Sequence, residues 1–368
     1  MSQYGDLIAR NLKRFRRERN LTQKKLADKT GVSLPCIKKV EGNHIDAPST
    51  ATLTKLAAGL GRTIFDFYRE PQTLQAVRFR ANASFGATAR ETIVDSCAVW
   101  LDRYCFLEDL LDDKLEFNLP APTMTGSKLD VREYSAEIRS RLGFTPSEPI
   151  ANVSDALVRS GAKFWFCRRP APEDVFGLAF AESPQRTGVV VFDTDAINAE
   201  RRIFSAIHEL GHLALHQKSF DSQIADENPD EESQADLFAS HFLMPNDEFV
   251  RRWEDSVGRS FVDRVLFVKR YFRVSYKTVL RRLVEIERET QGVYVKFNAL
   301  YNRRHPDGLK QHREPAGLSK LDVSDDRFRR LVFRATEAGK ITPGKAAEFL
   351  GTSVPETYAA FNSTESVE

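Results

Sequence analysis

Apolar residues recur at helical spacing through the first seventy positions. In LIARNLKRFRRERN, Leu7, Ile8, Leu12 and Phe15 fall on one face of a helix. The next stretch is LTQKKLADKTGVSLPCIKKVEGN. Thr22 is a suitable N-cap for a helix through Asp28, and Gly31 a suitable stop. Ser33 can cap a further helix that runs to Glu41 and ends at Gly42. APSTATLTKLAAGLG predicts a fourth helix, capped by Ser49 or Thr50, with Gly61 beyond its end. Pro71 opens a connector. One long helix is predicted over 86–117, with Trp100, Leu101, Tyr104, Leu107, Leu110 and Leu111 on its apolar stripe. NLPAPTMTGS, at 118–127, is the clearest linker.

Beyond the linker the pattern is mixed. SAEIRSRLGF and NVSDALVRSG read as helices, whereas AKFWFCR, FGLAFAE and TGVVVFDT read as strands rich in β-branched and aromatic residues. Residues 199–290 return to helical spacing. GVYVKFN (292–298) reads as a further strand, and 325–361 as two or three short helices. The end of that region, ITPGKAAEFLGTSVPETY, has the pattern of half a helix-turn-helix, although a packing helical hairpin also accounts for it. The expected fold class is α+β. The expected divisions are 1–70, a helical connector and linker over 71–128, a mixed domain over 129–292, and a helical region over 293–368.

A chain of 368 residues with 41% hydrophobic and 29% charged content is an ordinary globular composition. No apolar run is long enough to span a bilayer, and MSQYGDLIAR lacks a signal-peptide core. Cys36, Cys97, Cys105 and Cys167 form no C-x-x-C pair, which fits reduced thiols and a cytoplasmic location. The net charge of +2 conceals an asymmetry. Residues 1–70 hold 14 Lys and Arg against 7 Asp and Glu, whereas residues 130–292 hold 22 against 27. A basic head on a mildly acidic body points to a polyanionic partner for the head.

Two short helices around a glycine turn, the second capped by serine and flanked by lysines, suit a helix-turn-helix. The second helix of such a pair enters the major groove of double-stranded DNA by its N-terminal end. Ser33, Leu34 and Lys38 could face bases. Lys39 extends the basic flank, and Gln23 and Lys24 could bind phosphate. A small helical bundle with a solvated basic face is the plainer reading. The ordered positions T-Q, L-A, G-V-S, I, E-G, P-S, L-A and L-G resemble the Cro/CI-type (XRE) helix-turn-helix family over about 55 residues. Pro35, early in the recognition helix, offers no side-chain donor to a base.

HELGHLALH, at 208–216, holds the other candidate chemistry. His208 and His212 are four apart, so one helix face presents both imidazoles to a single zinc ion. Glu209 adjoins the first of them, where a general base is needed. His216 is two turns from His208, about 12 Å along a helix, so it suits a helix end or a supporting role rather than ligation of the same ion. A zinc site needs a third protein ligand. ADENPDEESQADLFASHFLMP supplies Asp226, Glu227, Asp230, Glu231 and Glu232. Glu232 and Asp236 stand one turn apart. Glu232 could bind the metal while Asp236 accepts the N–H of a ligating histidine. A solvated acidic cluster at a helix N-terminus is the alternative. Tyr271 and Tyr276 are candidates, by residue type only, to complete oxyanion stabilisation.

FSAIHELGHLALH together with EESQADLFASHFLMP resembles the ImmA/IrrE family of zinc metallopeptidase domains, over roughly 130–290. Counting back from Leu243, Met244 and Pro245, the resemblance implies that Glu232 is the third ligand, and Asp236 replaces a commoner asparagine. It implies a zincin-like domain with a small sheet and an H-E-x-x-H helix, a Zn²⁺ cofactor, and Glu209 as the catalytic residue. It also implies a substrate, because family members cut helix-turn-helix repressors. The order of parts resembles a bacterial regulator subfamily that carries both parts in one chain. The expected function is a DNA-binding transcriptional regulator and homodimer that cleaves a repressor or itself, in the connectors around 71–85 and 118–127. The rival is a non-catalytic regulator or antitoxin-like repressor that uses the metallopeptidase fold for ligand sensing or dimerisation.

Overall fold

The computed structural model describes residues 3–19, 21–45, 48–68, 74–81, 87–122, 129–167, 175–192, 197–220, 228–305, 309, 314–319 and 326–364. The chain divides into two compact units, residues 1–74 with 85–102, and residues 75–84 with 103–368.

The first unit opens with α1 (Gln3–Glu18), α2 (Gln23–Thr30), α3 (Leu34–Glu41) and α4 (Thr50–Leu60), followed by a 3-10 turn at Ile64–Tyr68. Its boundaries follow from capping chemistry. The Thr22 hydroxyl accepts from the Lys25 amide, Ser33 from Cys36 and Ser49 from Thr52. Gly31 ends α2 at φ 65°, a left-handed conformation that glycine adopts without steric cost. Ile8, Leu12, Phe15, Leu26, Ile37, Leu53, Leu56 and Phe67 close the core. The Arg16 guanidinium donates to both oxygens of buried Glu41 at 2.5 and 2.9 Å, which ties the end of α1 to the end of α3. Helix α5 (Ala87–Leu111) contributes to both units. It stops at Leu111 rather than at 117, because Asp112 turns into the left-handed region at φ 52° and the Asp113 amide bonds back to Glu108.

The second unit holds a four-stranded sheet of β1 (Val77–Ala81), β2 (Lys163–Cys167), β3 (Val175–Ala181) and β4 (Thr187–Phe192), in the order β1-β3-β4-β2. β3 pairs antiparallel with both β1 and β4, and β2 runs parallel to β4. One face presents Phe164, Phe166, Ala179, Val189 and Val191 to a core shared with α6 (Val131–Arg141), α7 (Val153–Arg159), α8 (Ala199–Leu215) and α9 (Pro229–Leu243). Helices α8 and α9 pack tightly at Gly211. A Cβ there would meet Phe238 Cδ1 at 3.0 Å and Ala235 Cα at 3.4 Å. Across the sheet, buried Lys163 of β2 pairs with Glu108 of α5 at 3.1 Å, and Glu108 also receives Arg327 at 2.7 Å. Strand β1 falls in the stretch expected to be a connector.

Helices α10 (Asn246–Asp255), α11 (Phe261–Phe272), α12 (Tyr276–Glu285) and α13 (Val293–Arg304) extend the core. The expected strand at 292–298 is the first half of α13. Val293, Phe297 and Tyr301 are its buried residues, whereas Val295, which would share their face in a strand, is 73% exposed, as a helix requires. Helices α14 (Asp326–Glu337), α15 (Pro343–Leu350) and α16 (Val354–Thr364) complete the unit. The α15–α16 hairpin repeats the local geometry of α2–α3. Thr342 caps α15, Gly351 turns at φ 67°, and the Ser353 hydroxyl accepts from the Glu356 amide. Pro355 then sits where Pro35 sits in α3. Among the described residues no helix is long and apolar enough to cross a membrane.

Candidate metal centre

Helix α8 begins at the Asn198 cap, whose side chain accepts from the Arg201 amide, and runs unbroken through the H-E-x-x-H residues. Its 3.6-residue period sets His208 and His212 on one face, with ring centroids 4.6 Å apart. Helix α9 starts at Asn228 and Pro229, so Glu232 stands in its first turn, facing that pair. His208 Nε2 lies 3.0 Å from His212 Nε2 and 3.1 Å from Glu232 Oε2, and His212 Nε2 lies 3.1 Å from Glu232 Oε1. These three residues form a group whose ligand atoms could hold one metal ion. A tetrahedral zinc ion with bonds of about 2.0–2.1 Å separates its ligand atoms by roughly 3.3 Å. The donor set therefore fits zinc in both chemistry and spacing.

The far sides of the imidazoles are committed as well. His208 Nδ1 lies 2.8 Å from Asp236 Oδ1. His212 Nδ1 lies 3.0 Å from His216 Nδ1, and His216 Nε2 lies 3.0 Å from Gln234 Oε1. One proton assignment satisfies the whole chain. His208 and His212 donate from Nδ1, and His216 accepts at Nδ1 and donates from Nε2. Both Nε2 lone pairs are then directed at the shared point. His216, the residue after α8, thus supports a candidate ligand. Burial pushes the His212 imidazole down to about 3, so it stays neutral, the form that ligates. Burial raises Glu232, but without metal a proton carried on either Nε2 would instead donate to it and hold its carboxyl well below the usual range.

Glu209 is fully buried, and its carboxylate abuts β3. A Cβ on Gly177 would lie 3.2 Å from Glu209 Oε1. Arg78 of β1 is a member that sequence reasoning missed. Its Nη2 is 3.0 Å from Glu232 Oε1, and its Nη1 pairs with Glu231, which also accepts from Ser219 Oγ at 2.8 Å. The only signal was the alternation in VRFRA, inside a stretch read as connector. Asp230 is exposed, and its amide donates to the Asn228 side chain; Asp226 and Glu227 lie outside the described residues. The two tyrosines chosen by type are engaged elsewhere. Tyr271 donates to the Ser147 carbonyl at 2.6 Å, and Tyr276 stacks on Phe297.

In the first unit, Ser33, Lys24, Lys38 and Lys39 are exposed, and Leu34 is half-buried at the start of α3. The Gln23 amide donates to Glu41 Oε2 at 2.7 Å, so it braces the two helices. Residues 12–67 match a family model described as helix-turn-helix. Residues 176–284 match a peptidase-family model described as IrrE N-terminal-like domain. The chain is a fusion of these two domains. None of the curated proteins compared with it matches. The IrrE N-terminal-like segment contains α8 and α9, and with them every candidate ligand; it begins in β3, so β1 and Arg78 lie outside it. The fusion thus carries a DNA-binding regulatory head and a peptidase-type fold in one α+β chain.

Proposed function

We propose that this fusion is a transcriptional regulator whose IrrE-like domain is a zinc peptidase, and that it cleaves a helix-turn-helix repressor or its own chain. The observation that carries the reading is the paired orientation of His208 and His212. Each has its Nδ1 engaged by a neighbour and its Nε2 directed at Glu232. A purely structural zinc site has no use for an adjacent base, yet Glu209 follows His208 directly and is buried beside β3. His208, His212 and Glu232 would hold the ion. When bound, zinc supplies Lewis acidity, which activates water near neutral pH and polarises a carbonyl. Glu209 accepts the proton of the attacking water and returns it to the leaving amine. Asp236 holds the His208 ring in its ligating orientation.

The head binds operator DNA as part of a homodimer, with Lys24, Lys38 and Lys39 on phosphates and Ser33 and Leu34 at the groove. Zinc-loaded protein, incubated alone and with a helix-turn-helix repressor, tests the catalytic half. Fragments identified by mass spectrometry, and absent with Glu209→Gln, are the expected result. Intact partners in both incubations would contradict it.

A further inference from the structure

The sheet edge beside the metal centre is covered by the chain itself. Strand β1 runs antiparallel along the outer edge of β3, with Arg78 opposite Ala179 and Arg80 opposite Gly177. Gly177 is the residue against which the Glu209 carboxylate rests. The β1 backbone therefore passes beside the candidate base. Arg78 reaches from this strand to the candidate ligand Glu232 at 3.0 Å, and pairs with Glu231. Its side chain is only 9% exposed. Val77 and Phe79, which alternate with it, are also buried.

Antiparallel pairing to a sheet edge is how many proteins bind extended peptides: the backbone ladder holds the peptide, and pockets for alternate side chains give selectivity. Here the second requirement is met by Glu231, which Ser219 fixes and which is not part of the His-His-Glu group. We propose that the outer edge of β3 is a peptide-binding edge, that Glu231 selects a basic side chain on the bound peptide, and that β1 is the resident occupant that a substrate must displace. The proposal rests on the peptidase reading above, since it assigns the substrate class of that same centre. It predicts an extended segment carrying arginine or lysine. It also makes the segment that leads from the head the gate of the metal centre.

The test uses the full chain with Arg78→Glu, which sets a like charge against Glu231, and with Glu231→Gln, which leaves β1 untouched. Amide hydrogen exchange is read over 75–81 and 187–192, and a fluorescent peptide copying residues 74–81 (LQAVRFRA) is titrated by anisotropy. Both variants should exchange at least tenfold faster in 75–81 while β4 stays protected. Arg78→Glu should bind the peptide at least tenfold more tightly than the unaltered chain does. Glu231→Gln should not gain this binding, and a peptide with alanine in place of the Arg78 equivalent should lose it. Unchanged exchange in both variants, or faster exchange without peptide capture by Arg78→Glu, would overturn the proposal and leave β1 a structural edge strand. Zinc content of the unaltered chain, in which the Arg78–Glu232 pair is intact, separates the two readings. Zinc without peptide capture contradicts the occupied edge, whereas capture without zinc contradicts the peptidase and leaves the edge standing.

Discussion

Asp236 Oδ1 stands 2.8 Å from Nδ1 of His208, and the second Asp236 oxygen stands 3.3 Å from Arg281. The carboxylate is thus held on one side and holds the ring on the other. Outer partners of this kind fix the tautomer, and their loss costs about 10–100-fold in metal affinity. Asp236→Ala should weaken zinc binding within that range in a chelator competition. Asp236→Asn should weaken it less, because an amide oxygen still accepts from Nδ1. Equal affinity for Asp236→Ala and the unaltered chain would show that the contact does not orient the ring.

Gly177→Ala separates base positioning from metal binding. The added Cβ would press on Glu209 Oε1 at 3.2 Å and on the Val190 carbonyl at 3.0 Å. The carboxylate should shift by a few tenths of an ångström while His208, His212 and Glu232 keep their places. Cleavage should fall by roughly tenfold or more, because small misplacements of catalytic groups are costly. Zinc content should not change. A parallel loss of zinc would show that the damage had spread to the helices.

Acid should destabilise the metal-free chain in a defined window. The folded His212 lies at about 3 against an ordinary 6.5, because burial disfavours its charged form. Between those values the unfolded chain binds a proton that the folded chain does not. Stability is therefore full above 6.5 and declines as pH falls, by about 1.4 kcal/mol per pH unit from this group. His212→Gln should flatten the slope of the denaturation midpoint between pH 6.5 and 4. An unchanged slope would show that other groups govern it.

DNA affinity should depend on exposed lysines of the head. Lys38→Ala with Lys39→Ala should weaken binding to all sequences and reduce the salt slope by about 2, near 0.9 for each phosphate contact. Ser33→Ala or Leu34→Ala should instead alter sequence preference. A slope unaffected by the double lysine substitution would place the phosphate contacts elsewhere.

Much of the fold could be read from local chemistry. Thr22, Gly31, Ser33 and Ser49 mark helix ends because capping depends on a few adjacent residues. The four-residue spacing of His208 and His212 likewise comes from helix geometry, whereas the choice of Glu232 rested on the family resemblance, and its place in the first turn of α9 became visible only in the fold. What stayed hidden depends on distant pairing. Strand β1 is only five residues long and gains its identity from β3, about a hundred positions away. Arg78 therefore could not be connected to Glu232. Val293, Phe297 and Tyr301 belong to residue types common in strands, and packing against the core overrode that preference. Asp112 ended α5 early through a left-handed turn that the apolar stripe did not foreshadow.

The zinc stoichiometry of purified full-length protein tests the central claim most directly. Elemental analysis should give about one zinc per chain, with most of it lost in His212→Ala and in Glu232→Ala, since a three-ligand set binds cooperatively with the fold. Glu231→Ala should retain it. A chain that holds no zinc after reconstitution, or one in which Glu231→Ala loses the metal and Glu232→Ala keeps it, would contradict the assignment of His208, His212 and Glu232 as a zinc site.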